Sequence, residues 1–378
     1  MTQPLRADHV GSLLRPPELL EAQADFAQSK RSIEELRQVE DRAILQALDL
    51  QRQAAIGVFT DGEYRRTNWA GDFSEAVSGY VQGKMPVSFE WKLPDQLQGA
   101  SVQEDIRNSP HQGGRVIGER LRPKHRLTAS ETAFLKRHAP GPWKITIPAA
   151  SYILARGYSP ETSSKAYSSR RELGEDIGRI IEAEVTAVAE EGAAYIQIDN
   201  PHYPDYIPED RREQWRAIGI DPDKALAEDI AIDNATIAKL DRQRCIVATH
   251  ICRGNGRSAW HTVGGYERIA ERVFGTLEVD RFLLEYDSER SGGFEPLRFM
   301  PKGKQVVLGL VTTKVGELES QDLLLRRIDE ASKYVAMEDL ALSPQCGFAS
   351  VAAGNLLSWD EQRRKLELVV ETARKVWR

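Results

Sequence analysis

The chain has 378 residues, 41% hydrophobic and 29% charged, with a formal net charge of -6 in which both signs are well mixed. This is a globular composition, and it excludes a basic surface for nucleic acid or a polybasic patch for a membrane. No run of about 18 apolar residues offers a membrane span, residues 1–6 lack the apolar core of a signal peptide, and three cysteines in so long a chain make no disulfide framework. The expected location is a reducing cytoplasm.

In chain order, residues 6–14 predict a short strand ending in a Gly11-Ser12 turn. Residues 32–53 predict a helix with Leu36, Val39, Ile44, Leu45 and Leu48 as its apolar stripe. A second strand over 56–63 runs into the acidic loop Asp61-Gly62-Glu63. From about 80 to 142 the rhythm breaks into polar sequence rich in Gly and Pro. It has β-like pieces at 87–91 and 115–118 and a short helix near 131–137, the pattern of a hairpin-like insertion.

Strand and helix then alternate regularly. Strands are predicted at 144–148, 194–199, 245–250, 282–285, 306–311 and 340–343. The helix over 171–191 carries Leu173, Ile177, Ile181, Val185 and Val188 on one face, with Gly192 suited to its C-terminal cap. Another helix lies at 224–240, and one between the last two strands carries Leu323, Leu324 and Ile328. The final helix opens on the capping box Ser358 to Glu361 and carries Leu366, Val369 and Val370. Eight strands alternating with helices predict a (β/α)8 TIM barrel, one catalytic domain over 1–378 with an insertion at about 80–142 after the second strand. An open doubly wound sheet is the alternative fold, but no G-x-G-x-x-G turn follows a strand here.

A barrel of this kind collects its active site where strands end. The polar residues at those exits are Ser12, Asp61, Glu63, Asp199, His250, Cys252, Glu285 and Cys346. His250 and Cys252 are two apart at the end of a strand, so both donors point to one side. A buried free cysteine is usually a small apolar packing residue, and a polar strand-exit residue often caps the next helix. Convergence of imidazole, carboxylate and two thiols favours a single zinc ion bound by His250, Cys252, Glu285 and Cys346. Cys245, which opens its strand far from the exit, is read as structural. Two thiolates and a carboxylate would leave the ion formally anionic and a poor activator of water. Such a centre is better suited to holding a substrate thiol as a nucleophilic thiolate.

The motifs Arg6-Ala7-Asp8-His9-Val10-Gly11-Ser12, Asp61-Gly62-Glu63, His250-Ile251-Cys252-Arg253-Gly254-Asn255, Leu284-Glu285-Tyr286-Asp287 and Ser343-Pro344-Gln345-Cys346-Gly347-Phe348 span nearly the whole chain. Together they resemble the catalytic barrel of cobalamin-independent methionine synthase, and more closely the short single-barrel bacterial relatives of that enzyme. The resemblance implies His250, Cys252, Glu285 and Cys346 as zinc ligands, catalytic through the metal. It implies Ser12 as the residue holding the homocysteine carboxylate, and Glu63 with Asp199 as the acids receiving its amino group. An ammonium between two carboxylates gains charge-assisted hydrogen bonds. Asp61 is expected to cap a turn.

The chain also departs from the family. It has no room for the second, N-terminal barrel of the long enzyme. After strand seven it reads Leu310-Val311-Thr312-Thr313-Lys314, without the histidine of that enzyme, and loop four reads Asp199-Asn200-Pro201-His202-Tyr203 where an Asp-Glu pair is commoner. The expected activity is zinc-dependent S-methylation of a homocysteine-like thiol to a thioether, as in methionine biosynthesis. The partners are then the thiol and a methyl donor, folate or methylcorrinoid, with no nucleic acid and no membrane. The alternatives are a zinc-dependent alkyltransferase that opens an epoxide with coenzyme M, and a non-catalytic barrel with a structural zinc. A zinc hydrolase is disfavoured by the thiolate count.

Overall fold

The first strands along the chain, β1 (Val77–Gln82) and β2 (Arg115–Pro123), form an antiparallel hairpin. The next six pair in parallel and in sequence order: β3 (Lys144–Pro148), β4 (Tyr195–Asp199), β5 (Ile246–Ile251), β6 (Arg281–Glu285), β7 (Gln305–Val311) and β8 (Leu340–Pro344). The computed structural model describes residues 5–70, 73–85, 87, 89–98 and 114–377. Strands β3, β4, β6 and β8 are buried at every position, as parallel strands covered on both faces must be.

Two short extended stretches close the ring. Asp8 donates its amide to the Leu342 carbonyl and Leu342 to the Arg6 carbonyl, both at 2.9 Å. Phe59 donates to the Pro142 carbonyl and Lys144 to the Phe59 carbonyl, again at 2.9 Å. Each stretch makes one isolated bridge, Ala7 to Leu342 and Phe59 to Trp143. They meet each other mainly through side chains: the His9 ring donates to the Val58 carbonyl at 3.1 Å and Thr60 Oγ1 to the Gly11 carbonyl at 2.8 Å, with one backbone bond from the Leu13 amide to the Gly62 carbonyl at 3.2 Å. The TIM barrel expected from the sequence is therefore present, and its first two staves are held by bridges and side chains rather than by ladders.

The core has two parts. Inside the ring sit Val10, Val58, Tyr195, Ala248, Leu283, Val307 and Ala341. Below them Asp8 binds both Lys144 Nζ and Arg281 Nη1 at 2.9 Å, a fully buried ion triad at the floor of the barrel. Burial opposes the Asp8 charge, but Lys144 and Arg281 hold its carboxyl down at about 2. Outside, a much larger apolar cluster joins the ring to the helices.

The helices read from the sequence form close to their expected bounds: Ile33–Gln53, Ala129–His138, Arg170–Glu190, Pro222–Ile237, Gln321–Ser332 and Trp359–Val376. Ser32 with Glu35 and Ser358 with Glu361 make reciprocal capping boxes. Leu45 and Leu323, placed on the apolar stripes, are instead 45% and 40% exposed. Each stands one residue from a buried neighbour, Ile44 and Leu324, and one helical step turns a side chain about 100° away from that face. In the insertion, the described residues of 87–91 form no strand; the chain there only reaches Lys92, which exchanges backbone bonds with Trp260 at 2.8 and 2.9 Å. Among the described residues no helix is long and apolar enough to cross a membrane.

Candidate active site

Strand β5 ends so that His250 pairs laterally with Asp199 of β4, and Cys252 follows two residues later. Cys346 lies two residues past the end of β8. The donor atoms of His250, Cys252 and Cys346 all fall within 4.8 Å of one another, and all three residues are buried. Neither ring nitrogen of His250 has a hydrogen-bond partner, an arrangement that is costly unless something else takes the lone pair. Burial works against a charged His250, but the Cys346 sulfur, Asp199 and Glu285 outweigh it and raise its pKa. The two sulfurs lie close enough to share a proton, which drives Cys346 well down and Cys252 up. Of the sequence-predicted ligands, the structure thus brings three into one group able to hold a metal ion.

Glu285 lies beside that group and outside it. Its carboxylate accepts from Arg290 Nε at 3.0 Å, the Arg253 amide at 2.8 Å and Gln345 Nε2 at 3.2 Å. Burial would push this carboxyl up, but Arg290, Arg253 and Lys314 bring it to about 2.

The group opens into a cavity of about 100 Å³, where one water needs only ~10–15 Å³ by the same measure. Ser12, Glu63 and Asp199 line it together with the three metal-capable residues. Glu63 holds a left-handed backbone, φ 61°, a conformation that costs a non-glycine residue about 1–3 kcal/mol. The Asp61 carboxylate fixes it by accepting the Glu63 amide at 2.9 Å, so Asp61 is the expected turn cap. Arg15 holds the Glu63 carbonyl at 2.8 Å, and Thr146 Oγ1 donates to Glu63 Oε1 at 2.7 Å. Glu63 Oε2 is buried without a partner. Burial raises the Glu63 carboxyl and pushes Asp199 up to about 7, with the charge of Glu63 adding to the latter. Two buried carboxyls whose ionisation is opposed by burial gain from a cation placed between them.

Ser12 packs against Gly347, the residue after Cys346, so closely that any Cβ at 347 would overlap Ser12 Oγ. The far wall is aromatic, with Trp69, Phe89, Trp91 and Tyr152. His261 lies between Phe89 and Trp91, ring centroids 4.6 and 4.9 Å away.

A family model described as the catalytic domain of cobalamin-independent synthase matches residues 156–375. The chain belongs to the cobalamin-independent methionine synthase family. It is 37% identical to the uncharacterized protein YxjG of Bacillus subtilis (strain 168), over 99% of this chain and 95% of that one. A solved protein from Listeria monocytogenes, assigned as a vitamin-B12 independent methionine synthase, is 28% identical at a TM-score of 0.76, covering 100% of this chain and 99% of that one. A B12-independent methionine synthase from Shewanella sp. W3-18-1, in complex with selenomethionine, superposes with a TM-score of 0.70 at 21% identity, over 98% and 97% of the two chains, and shows the shared fold. The reaction of the family is methyl transfer to homocysteine.

Several residues that shape this family's barrel in the present chain escaped sequence reasoning. The helices Pro17–Ala27, Ala150–Gly157, Glu209–Ala217 and Glu267–Thr276 were not expected. The first carried a signal in Pro16-Pro17-Glu18, proline at the helix start with an acid in the first turn. The last carried Ile269, Ala270, Val273 and Phe274 at helical spacing. The aromatic wall had no signal, because its members come from three separate segments.

Proposed function

We propose that this chain is a zinc-dependent S-methyltransferase acting on homocysteine or a closely similar amino thiol, with residues 1–378 as one catalytic barrel. The observation that supports this best is the buried trio His250, Cys252 and Cys346, its imidazole nitrogens without partners, in one cavity with the paired acids Glu63 and Asp199. An imidazole and two sulfurs are donors that favour zinc over harder ions. Glu285 would be the fourth donor. When bound, zinc acts as a Lewis acid that lowers the pKa of a substrate thiol and keeps its sulfur nucleophilic at neutral pH.

The remaining work falls to side chains. Glu63 and Asp199 take the substrate ammonium, which relieves two carboxyls that burial has made costly to ionise. Ser12 takes the substrate carboxylate. Arg290, Gln345 and the Arg253 amide already bind Glu285, so its carboxylate would stay partnered whether or not it also served the ion. The aromatic wall keeps water from the reacting sulfur and methyl group. A sulfonate thiol such as coenzyme M suits this pocket less: two acids face it, and the cation on its wall, Arg156, is paired with Asp205 at 3.3 Å. The methyl donor is a folate or a methylcorrinoid, and three free cysteines accord with work in a reducing cytoplasm.

The test is direct. The zinc-loaded protein is incubated with homocysteine and, in separate reactions, methyltetrahydrofolate, methylcobalamin and a small epoxide, and the thioether is identified by mass. Methionine from either methyl donor is expected. An epoxide adduct with no methionine from either donor would overturn the reading.

A further inference from the structure

Lys314 stands three residues beyond the end of β7 and is 1% exposed. Its ammonium has three acceptors, and all three belong to the loop that follows Cys252: the Gly254 carbonyl at 3.3 Å, Asn255 Oδ1 at 3.1 Å and the Ala259 carbonyl at 3.4 Å. Among the described residues no carboxylate accepts a hydrogen bond from it. A buried ammonium is normally paired with an anion, so three neutral oxygens from one loop make an unusual set of partners.

The other end of Asn255 explains what they accomplish. Its amide nitrogen donates to the Gly347 carbonyl at 2.8 Å and to Ser350 Oγ at 3.0 Å, both on the loop that follows Cys346. One planar amide therefore spans the two strand exits that carry the cysteines. Lys314 decides which way that amide faces, because turning it over would aim its nitrogen at the ammonium and its oxygen at the Gly347 carbonyl. With its three protons engaged on the loop, Lys314 is placed to hold structure rather than to give a proton to a leaving group.

We propose that Lys314 is a positioning residue which, acting through Asn255, sets the separation of the Cys252 and Cys346 sulfurs at the metal site while touching neither metal nor substrate. This rests on the reading of those two cysteines as ligands. Partners that orient metal ligands from behind typically account for about ten- to a hundredfold in metal affinity.

The experiment uses the zinc-loaded full chain and the variants Lys314→Met, Asn255→Ala and the double variant. Zinc affinity is measured by competition with a chromophoric chelator, the sulfur-to-metal absorption band is recorded after cobalt substitution, and a thermal melt reports folding. Each single variant is expected to bind zinc about tenfold or more less tightly with an altered cobalt band. The double variant should be no weaker than the weaker single, because both changes cut one connection. Wild-type affinity in a folded single variant, or losses that simply add, would overturn the inference. If Lys314→Met does not fold, unchanged zinc affinity in Asn255→Ala overturns it alone. A wild-type chain that takes up no zinc defeats the ligand assignment first, before any variant is made, and this inference falls with it.

Discussion

The two halves of the active site are built by opposite means. The metal-capable half, at the ends of β5 and β8, stands on laddered strands: β5 pairs with β4 and β6 on its two sides, and β8 pairs with β7 across an irregularity between Gly309 and Val311. The half proposed to face the substrate's amino and carboxylate groups has Ser12 and Glu63 on two staves with one bridge each. There, precision comes from side chains: Asp61 and Arg15 hold the strained backbone of Glu63, and Thr146 aims its carboxylate. Soft donors that must converge on one ion need a rigid frame, whereas a carboxylate that must meet an ammonium needs only a fixed direction.

Variants that separate the two halves test this contrast. Cys346→Ser should have the largest effect, removing bound zinc and activity together, a loss beyond the ~10–100-fold of an outer partner. Full metal content in that variant would exclude the site as drawn. Asp199→Asn should leave zinc content intact and raise the KM for an amino thiol by about ten- to a hundredfold, the ~1–3 kcal/mol of a charged hydrogen bond. An unchanged KM would place the substrate's amine elsewhere. Gly347→Ala should press on Ser12 and cost about 1–3 kcal/mol of stability, read by denaturant titration, with a weaker effect on zinc than on KM.

The smallest effect is a pH slope from the first stave itself. Burial, with Lys144 nearby, lowers the His9 ring from about 6.5 to about 3. The unfolded chain therefore binds a proton that the folded chain refuses, and stability falls as pH drops below about 6.5, by up to about 1.4 kcal/mol per pH unit. His9→Gln, which keeps a donor toward Val58, should flatten that slope in melts between pH 7 and about 5. An equal slope in both proteins would place the titration on another group.

This contrast also sets what the sequence revealed. The ladders were legible because buried parallel strands are continuous apolar runs, and their polar exits stand out at once: His250, Cys252, Asp199 and Cys346 were found from that alone. Staves one and two were read as ordinary strands, since periodicity cannot show that Ala7 and Phe59 would make one bridge each. Glu285 was legible as a strand-exit acid, but its bond to Arg290 depends on how the loop after β6 turns back, and its bond to Gln345 on another strand exit. Lys314 was visible as a missing histidine, and its own contacts with the loop after Cys252 were beyond any spacing rule.

If zinc is held as proposed, stripping it with a chelator would leave the liganding nitrogen of His250 unmet in a dry interior, at about 1–3 kcal/mol. The melting temperature should fall accordingly and recover when zinc is returned. Catalytic competence and resistance to degradation would then answer to the same nutrient, so copies that failed to load would be the first the cell clears.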